Sequence, residues 1–201
     1  MTLPNKLGIT DQVKLAKIEE KITKQKAKKL FDSKDIEKVK VGTFAGLSYI
    51  HRYLFEDIYE FAGKIRDVNI SKGNFRFAPV IYLEQSLKHI DSMPQSNFDE
   101  IVEKYVEMNI AHPFREGNGR ATRIWLDLIF KKELKKVVDW SKIDKNDYLM
   151  AMERSVVKDI EIKYLLKNAL TDKIDDRDLF MRGIDISYFY EGYGLYKTED
   201  L

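Results

Sequence analysis

Apolar residues recur at spacings of three and four along most of this chain, and that periodicity constrains the fold more than any other property. Only four prolines and ten glycines interrupt its 201 residues, so helices have room to run. Thr10 is a good N-cap, and Leu15, Ile18 and Ile22 mark one face of a first helix that runs towards Leu30. Its other faces carry many lysines and read as solvated. A second helix starts near Thr43, with Phe44, Leu47, His51, Leu54, Phe55 and Ile58 on its apolar face. Helical periodicity resumes at Val80 and pauses at Pro94-Gln95-Ser96. Asn97 then caps a helix whose buried stripe is Phe98, Ile101, Val102, Tyr105 and Met108, running into His112. Ala121, Ile124, Trp125, Leu128 and Ile129 form the next apolar face, and further helices fit Tyr148 to Val157 and Ile160 to Leu170. The stretch from Asp172 to Arg182 is polar and reads as a connector; Ile184 to Tyr190 is apolar and aromatic, ended by Gly192 and Gly194.

One stretch breaks the pattern. Lys64 to Ile70 alternates polar and apolar, Ser71-Lys72-Gly73-Asn74 reads as a turn, and Phe75-Arg76-Phe77 alternates again. That is a hairpin signal, and a lone hairpin must lean on helices. The expectation is an all-α helical bundle with one short β-hairpin. It divides into an N-terminal helical region at 1–40, a core at 41–170, and a C-terminal connector and helix at 171–201.

Composition mainly excludes. Lys+Arg 35 against Asp+Glu 33 leaves a formal net charge of +2, which gives no case for nucleic acid as a partner. Zero cysteines exclude disulfides, thiolate metal sites and a cysteine nucleophile. No run approaches a membrane span and the N-terminus lacks a secretory h-region, so a cytoplasmic protein without a membrane partner is expected.

The chemistry concentrates in His112-Pro113-Phe114-Arg115-Glu116-Gly117-Asn118-Gly119-Arg120, followed by Arg123. Pro113 stops a helix ending at His112, and Gly117 and Gly119 permit a tight turn into the next. The new helix then points free backbone N–H groups and its positive dipole end back into the turn, which makes an anion site. Arg120 and Arg123, at i and i+3, supply forked donors suited to phosphate oxygens. Glu116 would be repelled by bare phosphate, and a divalent cation removes the conflict, since Mg²⁺ is usually held by one or two carboxylates plus substrate phosphates. His112, with a reference pKa near 6.5, suits a general base acting on a hydroxyl.

The run from His112 to Arg123 resembles the signature of Fic-domain proteins, His-x-Phe-x-Asp/Glu-Gly-Asn-Gly-Arg-x-x-Arg, at every specified position. His51 to Tyr59 and Ala62 to Arg66 are similar to the Fic helix and pre-flap segment, although Phe61 stands where Trp is common. The hairpin resembles the Fic flap, so the similarity covers roughly residues 40 to 170. The resemblance implies AMPylation, the transfer of AMP from ATP to a Tyr, Ser or Thr hydroxyl of a target protein. It makes His112 the base and Glu116 the Mg²⁺ ligand. Gly117, Asn118 and Gly119 become the anion hole, with Arg120 on the phosphates and Arg123 on the γ-phosphate. Phe114 is buried to fix the loop. Ser71, Lys72, Gly73 and Phe77 of the flap would position the target's backbone by strand addition.

Ser187-Tyr188-Phe189-Tyr190-Glu191-Gly192 reads by itself as a short helix capped by Ser187 and ended by Gly192. It is also similar to the Fic inhibitory motif, Ser/Thr-x-x-x-Glu-Gly/Asn, at Ser187, Glu191 and Gly192. The resemblance implies a single-domain protein whose C-terminal helix sets Glu191 on Arg123, where the γ-phosphate belongs. Tyr188, Tyr190 and Tyr193 are candidates for self-modification. Several alternatives stay open: Glu191-assisted removal of AMP from targets, transfer of UMP or phosphocholine, and a Doc-like kinase, against which Gly119 argues because Doc proteins carry Lys there. A nucleotide-binding module without catalysis is disfavoured by an intact His112 and Glu116. By analogy the target is a topoisomerase subunit. The sequence leaves homo-oligomerisation open.

Overall fold

The computed structural model describes residues 2–73 and 75–201. Asp11 caps α1 (Gln12–Asp32) through its side chain, one residue after the expected Thr10. Thr43 caps α2 (Phe44–Phe55) by accepting from the Gly46 amide, as its hydroxyl chemistry predicts. Beyond α2 the chain is irregular until two short strands, β1 (Ser71–Lys72) and β2 (Phe75–Arg76), pair antiparallel with Lys72 opposite Phe75. The hairpin is therefore smaller than the alternation from Lys64 suggests. Ser71 and Lys72, expected in the turn, lie in a strand; Asn74, the other end of that expected turn, lies outside the described residues.

Next come α3 (Val80–Ser92), α4 (Phe98–Ala111), capped as expected by Asn97, and α5 (Asn118–Leu134). After α5 the strand β3 (Val137–Val138) leads through a 3-10 turn at Trp140–Lys142 into α6 (Lys145–Arg154) and α7 (Ile160–Ala169). Strand β4 (Leu170–Thr171) pairs back onto β3, a second ladder too short to register as period two in the sequence. The last helix, α8 (Arg177–Tyr190), begins inside the expected polar connector because Asp176 accepts from the Leu179 amide and starts it early. Among the described residues there are eight α-helices and two small two-stranded sheets, an all-α fold.

Helix α5 is the hub, packing on α2, α4 and α8. Ala121, Ile124, Trp125 and Ile129 are buried as expected, but so are Arg120, Thr122 and Arg123, so α5 is enclosed on nearly every side at its N-terminal end. Helix α1 departs from its lysine-rich appearance. Its buried residues include Glu19, Glu20, Thr23 and Lys24, and Lys24 pairs with Glu20 and Asp185 at 3.1 Å each. The expected solvated face holds at Lys14, Lys17, Lys21 and Lys29, which are exposed, but α8 and the C-terminal tail cover the strip with Lys24, which also donates to the Tyr196 carbonyl.

Candidate active site

His112 caps α4 in the left-handed region, at φ +48°, a conformation uncommon for a residue with a side chain. Arg66 fixes that corner. Its Nε donates to the His112 carbonyl at 2.8 Å and its Nη2 to the Ala78 and Ala111 carbonyls, while its own amide donates to the Pro113 carbonyl. The sequence carries no signal for Arg66 beyond its segment, because the five carbonyls it serves, of Val68, Ala78, Ala111, His112 and Pro113, come together only in the fold. The imidazole stacks on Phe77 of the flap, ring centres 3.6 Å apart. His112 Nδ1 lies 3.2 Å from the Asn109 carbonyl. A carbonyl only accepts, so Nδ1 carries the proton and Nε2 keeps its lone pair. Burial pulls the imidazole down to about 4, which keeps it neutral at ordinary pH.

The loop between α4 and α5 is locked from within. Asn118 accepts from the Phe114 amide at 2.8 Å and donates to the Phe114 carbonyl at 2.7 Å, so its side chain serves the loop and only its backbone faces the anion site. Phe114 is fully buried and stacks on His51 at 3.8 Å. His51 accepts from the Gly63 amide at Nδ1 and donates from Nε2 to the Glu116 carbonyl at 2.8 Å. Burial holds it neutral, at about 3. At Gly117, φ is +77° and a Cβ would lie 2.4 Å from the Phe55 ring, so the turn admits only glycine.

Gly117 is the N-cap of α5 and offers no side-chain cap. The first-turn amides of an α-helix have no intrahelical acceptor, and here they line a cavity of about 740 Å³. The same cavity is lined by His112, Glu116, Arg120, Arg123, Tyr148, Glu191 and the flap residues Ser71, Lys72, Gly73 and Phe77. The expected site residues are thus brought together, with two differences in detail.

The first difference is Arg120. It is 1% exposed and turned towards α1, donating to Glu19 Oε1 at 2.6 Å and to Glu116 Oε1 at 3.1 Å. The fork expected on phosphate is engaged by two carboxylates. Glu116 Oε1 also accepts from the Gly117 amide, which leaves Oε2 for the cavity.

The second difference is Ser187. It lies in the last turn of α8 and is not a cap; its hydroxyl and carbonyl accept from Arg123 Nε at 2.7 Å and Nη2 at 2.9 Å. Arg123 Nη2 also donates to Glu191 Oε1 at 2.8 Å. Glu191 caps the end of α8, and Gly192, at φ +91°, turns the chain away. Burial would raise Glu191, but the Arg123 charge, with Lys72 3.6 Å away, overrides it and sets the carboxylate at about 2. A Cβ on Gly119 would meet Glu191 Oε1 at 2.3 Å, so the carboxylate sits directly over the first turn of α5. A carboxylate already rests on the open N-terminus of α5.

A neutral imidazole, a half-exposed carboxylate and an open helix N-terminus sharing one cavity define a phosphate-handling transferase on a helical scaffold. Residues 43–130 match the Fic/DOC family. The chain is 29% identical over 170 residues to the probable protein adenylyltransferase y4lH of Sinorhizobium fredii, a match covering 79% of this chain and 85% of that protein. It is 30% identical to the protein adenylyltransferase VbhT of Bartonella schoenbuchensis over 84% of this chain, but that match spans only 37% of VbhT. The solved structure of BepC from Bartonella tribocorum with bound AMPPNP shares the fold at a TM-score of 0.68 and 23% identity, covering 85% of this chain and 93% of that one.

Proposed function

We propose that this protein is an ATP-dependent protein adenylyltransferase held in check by its own C-terminal helix. It moves AMP from ATP to a hydroxyl side chain of a target protein and releases pyrophosphate. The observation that carries the reading is the placement of His112 Nε2, unprotonated, in the cavity floored by the open N-terminus of α5.

In this reading the backbone amides of Asn118 and Gly119 and the guanidinium of Arg123 take the triphosphate, with Arg123 on the γ-phosphate. His112 accepts the proton of the attacking hydroxyl, and donors aimed at the phosphoryl oxygens stabilise the charge that develops there. Mg²⁺ would screen the phosphates and meet Glu116 Oε2. One free carboxylate oxygen fits a cation that arrives with its nucleotide, and among the described residues no group of three His, Asp or Glu could hold a resident metal. Ser71, Lys72 and Gly73 offer an exposed strand edge for the target's backbone, while Phe77 covers the face of the base. No helix among the described residues is long and apolar enough to cross a membrane.

Glu191 is the brake: it takes Nη2 of Arg123 over the first turn of α5. The three tyrosines proposed for self-modification are inside the docked arrangement. Tyr190 donates to the Ile143 carbonyl, Tyr193 to Glu19, and Tyr188 is 1% exposed, so any modification follows opening of this turn. Incubation of the Glu191→Gly protein with cell lysate and ATP labelled at the α or the γ position tests the function. Label entering protein from the α position alone is expected; label from γ alone would make it a kinase, and label from neither would leave a binding module.

A further inference from the structure

The guanidinium behind the motif is held from outside the Fic/DOC match. Glu19, on α1, lies 101 residues before Arg120 and upstream of the family match that starts at 43. It is 2% exposed. Besides Arg120 Nη1 at 2.6 Å, it accepts from the Tyr193 hydroxyl at 2.9 Å and from the Tyr59 hydroxyl. The rings of Phe55, Tyr188 and Tyr193 stand 4.9, 5.2 and 4.6 Å from the Arg120 guanidinium carbon. Arg120 reaches Glu116 only through Nη2, and its buried Nε has no partner.

We propose that Glu19 is a positioning residue that keeps Arg120 from closing on both oxygens of Glu116. An arginine beside a carboxylate favours a two-bond fork. If Arg120 took both Glu116 oxygens, each would carry a guanidinium bond and its positive charge, and a cation would have to compete for the remaining lone pairs. With Nη1 committed to Glu19, Arg120 takes only Oε1, which also holds the Gly117 amide, and Oε2 stays turned to the cavity. A buried ion pair adds little net stability, so placement of Glu116 accounts for this one better than stabilisation does. The proposal rests on the transferase reading, in which Glu116 meets the cation of the nucleotide complex, and it makes α1 part of the active site.

Calorimetric binding of AMPPNP, with Mg²⁺ and with EDTA, tests it in the Glu191→Gly protein, where the nucleotide site is open. Glu19→Gln keeps the shape and removes the charge. The Mg²⁺-dependent gain in affinity should fall roughly tenfold while affinity in EDTA stays within about twofold, the scale of losing an outer partner of a metal-ligating carboxylate. Equal gains in the folded variant and its parent, a parent that shows no Mg²⁺-dependent gain, or equal losses with and without Mg²⁺ would each overturn it. Where Glu19→Gln does not fold, Glu19→Asp keeps the charge and draws it back by one methylene; the same selective loss is expected, and full recovery of the gain would reduce Glu19 to charge balance. Binding needs no chemistry, so absence of α-label transfer in the parent would sink the transferase reading and leave this measurement standing.

Discussion

Replacing Glu191 by glycine should release the enzyme by an amount that the geometry bounds. Glu191 contributes one charge-assisted hydrogen bond to Arg123, at 2.8 Å, with side chains 23% and 3% exposed respectively. Such a bond contributes about 1.5–3 kcal/mol. At about 1.4 kcal/mol per factor of ten, its loss should raise AMP transfer at subsaturating ATP by roughly 10- to 150-fold. The Lys72 contact adds little, because that lysine is 69% exposed. The gain should not exceed this range, since Ser187 still holds Arg123 at Nε and Nη2 and keeps α8 in place. Removal also clears the space over Gly119, so Glu191→Gln, which keeps the bulk, should recover only part of the increase. The assay is incorporation of label from α-labelled ATP by parent and variants at matched concentration. Equal incorporation by parent and Glu191→Gly would refute the reasoning.

Other outcomes follow from the same geometry. In the Glu191→Gly background, His112→Ala should lower transfer about 10²–10⁴-fold, the usual worth of a positioned general base, with nucleotide affinity by calorimetry nearly unchanged. The acid limb of the transfer rate should fall near pH 4, where His112 protonates; a limb near 6.5 would show an imidazole open to water. Glu191 is depressed to about 2, so its docking is fully present above the ordinary carboxylate pKa of about 4.3 and fades as pH drops towards 2. Acid therefore disables the base before it frees the brake, and the wild-type chain should show no acid activation in the same label assay. Gly117→Ala should lower the thermal midpoint through about 1–3 kcal/mol of backbone strain plus the clash with Phe55, and an unchanged midpoint would contradict the tight turn.

The helical architecture was readable because its signals are local. Thr43 and Asn97 act as the caps their side chains suggest, and the stripes on α2, α4 and α5 are buried as their spacing predicts except at Phe44, Phe98 and Leu128, which are partly buried. What stayed hidden is long-range. A stripe count scores Glu19, Glu20 and Lys24 as polar and sets them in water, yet α8 and the tail cover them. Arg120 and Arg123 differ by three positions and look equivalent. One faces α1 and the other α8, and only the packing of those two helices separates a guanidinium tied to Glu19 and Glu116 from one tied to Ser187 and Glu191. Asp127 is hidden for the same reason: it accepts from the Trp140 indole and the Val138 amide, and burial lifts it to about 7.

The helix proposed as the brake is also a core helix, and that limits how it could let go. Leu179, Met181, Ile184 and Tyr190 of α8 are buried against the rest of the fold. At about 1.5–3 kcal/mol for each such side chain, removing all four from the core would cost on the order of 6–12 kcal/mol, as much as a domain's whole stability. Unwinding only the stretch from Ser187 to Tyr193 breaks the contacts to Arg123, Glu19 and the Tyr193 ring over Arg120; it unseats Tyr188 and Tyr190 but leaves Leu179, Met181 and Ile184 seated, and so costs less than losing the whole helix. Release should therefore be a local opening of the last turn, driven by a triphosphate competing for Arg123, with α8 staying docked upstream. Hydrogen exchange followed by mass spectrometry, with and without saturating AMPPNP, reads this directly. Amides from 187 to 193 should exchange faster with nucleotide while those from 178 to 184 keep their protection; acceleration across the whole helix would mean that α8 departs as a unit and that its core contacts are weaker than their burial implies.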